Sequence, residues 1–317
     1  MKRRSVLAAS ALAIAPHPGR AQAFPDRPIR IVVPYAPGGA TDTGARTLGE
    51  RLEKILGQPI VVENKAGGGT IIGTEYVARS KPDGHTLLLA TGALAVNASF
   101  GIALPYDTFK DLAPVVHYFD VPILVAAAND SPVRSIADLR TLGRPMPYAS
   151  ASGGSMQHLW AEDLKARLGL KIEHVGYKGS SEALRDVLAG HVPLLVDLLV
   201  PSGAAVKAGK VRGLAVGLPR RAPLLPEVPT VAEAGLPGTE GAIFNGLVAP
   251  AGTPAAVIAT LNRAVNQVLA EPDFARRLGE MGLALIGGPP DAFAKKIAEE
   301  TVKWRKVIQD SGIPAPT

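Results

Sequence analysis

One pattern recurs four times along this 317-residue chain: an apolar strand-like run, a loop of glycines and small hydroxyl residues, then the start of a helix. The loops are Pro37-Gly38-Gly39-Ala40-Thr41-Asp42, Gly67-Gly68-Gly69-Thr70, Ser150-Ala151-Ser152-Gly153-Gly154-Ser155 and Lys178-Gly179-Ser180-Ser181. Each sets backbone N–H groups and hydroxyls at a helix N-terminus, where unpaired amides and the helix dipole favour an anion. Two loops lie in the first third of the chain and two in the middle, an arrangement that suggests two lobes gripping one negatively charged solute.

Residues 1–23 read as an export leader: a basic start at Lys2-Arg3-Arg4, a ten-residue apolar run from Val6 to Ala15, and a cleavage site at Ala21-Gln22-Ala23. The run is far shorter than the roughly 20 residues a membrane-spanning helix needs. Cleavage after Ala23 gives a mature chain beginning at Phe24 and destined for the periplasm, by the general secretory route or, given Arg3-Arg4, the twin-arginine one. Loss of Lys2, Arg3, Arg4 and Arg20 lowers the formal charge from +6 to +2. The remaining bases are dispersed among acids with no basic stripe, which argues against nucleic-acid binding.

The rest of the chain is long enough for two ordinary domains, and its 47% apolar content can fill their cores. With no cysteine there is no disulfide, thiolate nucleophile or Cys-ligated metal, and the six histidines show no metal-ligand spacing. Strand-like runs at 29–34, 60–63, 85–91, 123–128, 147–150, 172–175, 194–199, 211–217 and 244–249 alternate with helical periods at 42–56, 70–79, 135–140, 155–168 and 181–189. Residues 92–122 read as irregular. Three more helices follow at 254–270, 272–281 and 290–309. Such alternation is the mark of an α/β fold with mostly parallel sheets.

Phe24-Pro25-Asp26-Arg27-Pro28-Ile29-Arg30 followed by Val33-Pro34-Tyr35-Ala36-Pro37-Gly38-Gly39 resembles the mature start of the Bug-type solute receptors of tripartite tricarboxylate transport systems. The resemblance continues through Val61-Val62-Glu63-Asn64-Lys65-Ala66-Gly67-Gly68-Gly69, Lys81-Pro82-Asp83-Gly84-His85-Thr86-Leu87, Leu104-Pro105-Tyr106-Asp107 and Tyr177-Lys178-Gly179. It extends to Pro226-Glu227-Val228-Pro229-Thr230 and Phe244-Asn245-Gly246-Leu247-Val248-Ala249-Pro250. It implies a type II periplasmic-binding-protein fold: lobe 1 from residues 24–123 plus 246–317, lobe 2 from 124–245, and a solute cleft that closes about a hinge. It implies a monomer without a cofactor, binding a small organic carboxylate and presenting it to membrane permease subunits or, alternatively, to a sensor kinase.

The residues expected at the cleft are Tyr35, Pro37, Gly38, Gly39, Thr41, Asp42, Gly69, Thr70, Thr91, Ser152, Gly154, Ser155, His158, Lys178, Gly179, Asp197 and Phe244. Asp42 is placed either to cap the following helix or to meet ligand. Asp197, alone among aliphatic residues, either caps the helix near Ser202 or binds a ligand amine, hydroxyl or water. His158, near a helix start, is expected to be neutral and to pack or orient. None of the four loops carries arginine, which favours a mono- or dicarboxylate over a tricarboxylate. A serine-hydrolase reading would enlist Ser155, His158 and Asp197, but the chain lacks a Gly-x-Ser-x-Gly elbow.

Overall fold

The computed structural model describes residues 24–315; the leader expected at 1–23 lies outside them. The chain begins with β1 (Ile29–Val33), α1 (Ala40–Leu56), β2 (Ile60–Asn64), α2 (Ile71–Ala78), β3 (Thr86–Thr91), α3 (Gly92–Ser99) and β4 (Leu112–Ala127). The middle holds β5 (Met146–Ser150), α4 (Met156–Leu168), β6 (Ile172–Gly176), α5 (Ser180–Leu188), β7 (Leu194–Leu198), α6 (Leu199–Lys207) and β8 (Arg212–Val216). It ends with β9 (Ala242–Pro250), α7 (Ala255–Leu269), α8 (Pro272–Glu280), β10 (Ala284–Leu285) and α9 (Pro290–Ser311).

Two sheets share β4. In the first, β1 pairs in parallel with β2 and β3, β3 pairs antiparallel with β9, and β9 with the first part of β4. In the second, the last part of β4 pairs antiparallel with β7 and β8, and β5 lies parallel to both β6 and β7. The handover is abrupt: Leu112 to Pro122 face β9, and Ile123 to Ala127 face β7 and β8.

The helices form for local reasons. Ala45, Leu48 and Leu52 give α1 one buried face, and Gly57 closes it in the left-handed conformation. The expected helix at 70–79 divides into a 3-10 turn (Gly68–Thr70) and α2, because Gly67, Gly68, Gly69 and Thr70 all have positive φ. The short helix expected at 135–140 is likewise a 3-10 turn, Ile136–Arg140.

The stretch 92–122 is not irregular: it supplies α3 and most of β4. Pro114 and Pro122 disguise the strand, since proline cannot donate to a sheet ladder. Pro114 is accommodated beside a register shift, and Pro122 falls where β4 changes partners.

Ile31, Leu87, Phe119 and Leu247 fill a core around the first sheet, and Tyr148, Leu159, Trp160 and Val196 fill one around the second. Helix α9 belongs to both sides. Phe293 and Ile297 pack with Val32, Leu88 and Phe244, whereas Trp304, Val307 and Ile308 join the cluster of Tyr148 and Trp160. Among the described residues, no helix is long and apolar enough to cross a membrane, and no group of three or more His, Cys, Asp or Glu could hold a metal.

Candidate ligand-binding cleft

The C-terminal ends of β1, β3, β5 and β7 converge on a cavity of about 740 Å³. Ligands of open α/β sheets sit at such strand ends, where the chain leaves the sheet and starts a helix.

Gly38 and Gly39 form one wall. Gly38 has φ 93 and Gly39, the N-cap of α1, is extended, so Gly38 takes a backbone shape that side chains rarely adopt. Asp42 is not that cap. From the first turn of α1 it reaches back to accept the Gly38 N–H at 2.9 Å, and it also accepts from Arg46 (3.0 and 3.1 Å) and Asn64 (2.8 Å). Burial would raise its pKa, but these donors outweigh burial and hold it below the usual carboxylate value. Asp42 is therefore a latch for the loop, its charge already neutralised by Arg46.

Thr41 donates to Asn245 Oδ1 at 3.1 Å, linking the start of α1 to β9. The Tyr35 hydroxyl lies 2.8 Å from Thr91 Oγ1, and Thr91 caps α3. Asn97 Nδ2 donates to the Gly69 carbonyl at 2.9 Å and pins the glycine turn. Thr70 stands at φ 83, a costly conformation for a β-branched residue, supported by the bond its carbonyl accepts from Thr74 Oγ1.

On the facing wall, Ser155 caps α4 by accepting the His158 backbone N–H at 3.3 Å. Gly154, at φ 74, donates its N–H to His158 Nδ1 at 3.0 Å. The His158 ring stacks on His174 with centroids 3.8 Å apart, and His174 Nε2 is 2.8 Å from Ser150 Oγ. Burial, then the His174 charge, push the pKa of His158 down to about 4, so the ring is neutral, with burial rather than the helix start as the main cause.

Of the residues expected from sequence, Tyr35, Gly38, Gly39, Thr41, Asp42, Gly69, Thr70, Thr91, Ser152, Gly154 and Ser155 line the cavity. Pro37, His158, Lys178, Gly179, Asp197 and Phe244 do not. Pro37 and Lys178 point into solvent, and Gly179 is the N-cap of α5. His158 acts from behind the wall, through Gly154. Asp197 is fully buried and accepts from Ser180 Oγ at 2.5 Å and from Ser202 Oγ. It is no N-cap either, since Leu198 holds that position on α6. It ties β7 to the start of α5 and to α6.

Phe244 is on the wrong face of β9. Successive strand residues point to opposite sides, so Phe244 packs against Phe293 at 5.6 Å while its neighbours Ile243 and Asn245 line the cavity. Asn97 and Gln157 were also missed from sequence. Asn245 was detectable as a polar residue in an apolar strand, the same signal that drew attention to Asp197. Asn97 was hidden in the stretch taken as irregular.

No hydrolytic relay is assembled. Ser155 Oγ faces a backbone amide, the His158 ring holds Gly154, and Asp197 is committed to two serines.

The sequence model for tripartite tricarboxylate transporter family receptors matches residues 44–313. The UPF0065 protein in the tcbD-tcbE intergenic region of Pseudomonas sp. (strain P51) is 41% identical over 314 residues, spanning 96% of this chain and 94% of its own. Protein BugT of Bordetella pertussis is 35% identical, spanning 93% and 92%. An R. palustris protein solved with adipate superposes with a TM-score of 0.79 at 35% identity, over 92% of this chain and 99% of that one. MatC from Rhodopseudomonas palustris with bound malate gives 0.74 at 33% identity, over 90% and 100%. These likenesses bear out the resemblance read from the sequence and the α/β periplasmic-binding-protein fold expected from it.

Proposed function

This chain belongs to the tripartite tricarboxylate transporter receptor family, whose members are periplasmic solute-binding proteins and not enzymes, and on that footing we propose that it captures a small mono- or dicarboxylate for a membrane permease. The observation that carries the reading is the composition of the cavity wall. Glycine-rich loops and small hydroxyls from both sheets face one another across about 740 Å³, and no lysine or arginine lines it. Neutral donors can hold one or two carboxylates, each charge-assisted bond contributing about 1.5–3 kcal/mol. A trianion would lose the hydration of three charges without a cation to replace it. That adipate and malate occupy similar proteins supports the same class.

Residues 24–123 with 246–317, and residues 124–245, are the two bodies we expect to close on the solute. Closure would present a new surface to the permease. The leader would be removed after Ala23 and the receptor would act as a monomer.

A thermal-shift screen of the chain from Phe24 onward, stripped of ligand by unfolding and refolding, tests the proposal. Ligand at a hundred times its Kd adds about 2.7 kcal/mol of stability. We expect a raised midpoint with particular mono- or dicarboxylates and none with citrate; the absence of any shift across all carboxylates overturns the proposal.

A further inference from the structure

We propose that the solute of this cleft carries its carboxylate at Gln157 and an uninterrupted hydrocarbon body, a ring or an unsubstituted chain, against Met156, Ile243, Val96 and Leu198. The inference rests on the carboxylate-receptor reading above and narrows it.

Gln157 is 5% exposed and lines the cavity, yet its side-chain amide makes no hydrogen bond to any described residue. The other buried polar side chains of the wall are engaged: Thr91 with Tyr35, Asn97 with Gly69, Asn245 with Thr41, and Asp42 with Arg46. Its amide is not sealed inside the protein but opens onto the cavity, so a ligand there can take up the bonds that no neighbouring side chain makes. Gln157 is also the second residue of α4. Its own N–H and that of Met156 have no carbonyl one turn back in the helix, so a side-chain donor and two backbone donors sit in one turn at the positive end of the dipole.

The surroundings of that turn are apolar. Met156 and Val96 are each 5% exposed, and Ile243 and Leu198 are half-buried. Met156 from α4 and Ile243 from β9 meet over Gly92 of α3: a Cβ built there would lie 3.2 Å from Met156 Cε and 3.1 Å from Ile243 Cγ2. A hydrocarbon body gains from burial against these groups. The hydroxyls of a small hydroxy acid would lose water and face methyl groups.

The test is calorimetric titration of the refolded, ligand-free protein with benzoate, hexanoate and adipate against malate, tartrate and citrate. We expect at least one hydrocarbon-bodied acid to bind about tenfold or more tighter than every hydroxy acid. Gln157→Glu, which sets a like charge against the carboxylate, should weaken the best ligand by about a hundredfold, and Met156→Gln should narrow the gap between benzoate and malate. Tighter binding of malate or tartrate overturns this inference and leaves the receptor reading standing, whereas tighter binding of citrate also overturns the mono- or dicarboxylate part of that reading. Binding of no acid in either set overturns this inference, and the wider thermal-shift screen then decides the receptor reading. Unchanged affinity in a folded Gln157→Glu protein removes the carboxylate from Gln157, and the wild-type series decides the hydrocarbon body should that variant fail to fold.

Discussion

His158 Nδ1 accepts the Gly154 amide proton at 3.0 Å, and through that bond a residue outside the cavity sets the shape of its wall. The bond exists only while Nδ1 is unprotonated. Burial, and after it the neighbouring His174, keep it so down to a pH of about 4.

Stability should therefore fall as the solution is acidified. An unfolded histidine takes its proton near 6.5 and this one near 4 when folded. Between those values the unfolded state binds more protons, so stability rises with pH across the window and is lost on going down through it. We expect about 2 kcal/mol less stability at pH 4 than at pH 7 from this residue, after allowance for its partial exposure. Urea midpoints at several pH values measure it, and His158→Leu should flatten the profile. His158→Asn, which retains an acceptor for Gly154, should bind solute more tightly than His158→Leu.

Asp42→Ala should loosen the first wall without unfolding the chain. It takes the acceptor from the Gly38 N–H and one of the bonds Asn64 donates, the Tyr35 carbonyl remaining to it, at about 1–2 kcal/mol with Arg46 about half exposed. Solute affinity should drop with it, as read by titration calorimetry. Affinity equal to wild type would mean the loop holds its shape unaided.

Asp197→Ala should act on stability before binding. Two serine hydroxyls lose their acceptor and a small buried void forms, costing about 1–3 kcal/mol in chemical denaturation. A large loss of affinity at unchanged stability would instead place Asp197 on the solute.

The neighbouring pair Phe244 and Asn245 should separate cleanly. Phe244→Ala removes a fully buried ring and should cost about 3–5 kcal/mol of stability. Asn245→Leu should keep most of the stability and lose solute binding, because Thr41 and the cavity lose their polar partner.

The sequence was most legible where a residue acts through its own backbone. Gly38, Gly39, Gly69 and Gly154, expected at the cleft from glycine-rich loops that open helices, all line the cavity. Side chains were harder, since their direction depends on strand parity and on elements not yet placed. Nothing in the sequence around Phe244 and Asn245 says which face of β9 meets the cavity, and it is Asn245 that lines it while Phe244 packs on Phe293. Asp197 was singled out correctly as anomalous, but its partners Ser180 and Ser202 lie on two helices whose approach no local pattern encodes. The prolines of β4 concealed a strand that only its long-range partners make possible.

The pairing of β3 with β9 bears on the order in which this chain can fold. Leu88 has no neighbour on that side until Val248 has been made, because the whole second sheet intervenes in the sequence. The early segment must stay an unfinished sheet with an open edge while the ribosome works through the middle. A long-range closure of this kind slows folding and keeps the nascent chain pliable. The strand that completes the first sheet along the β3 edge is made only after every strand of the second.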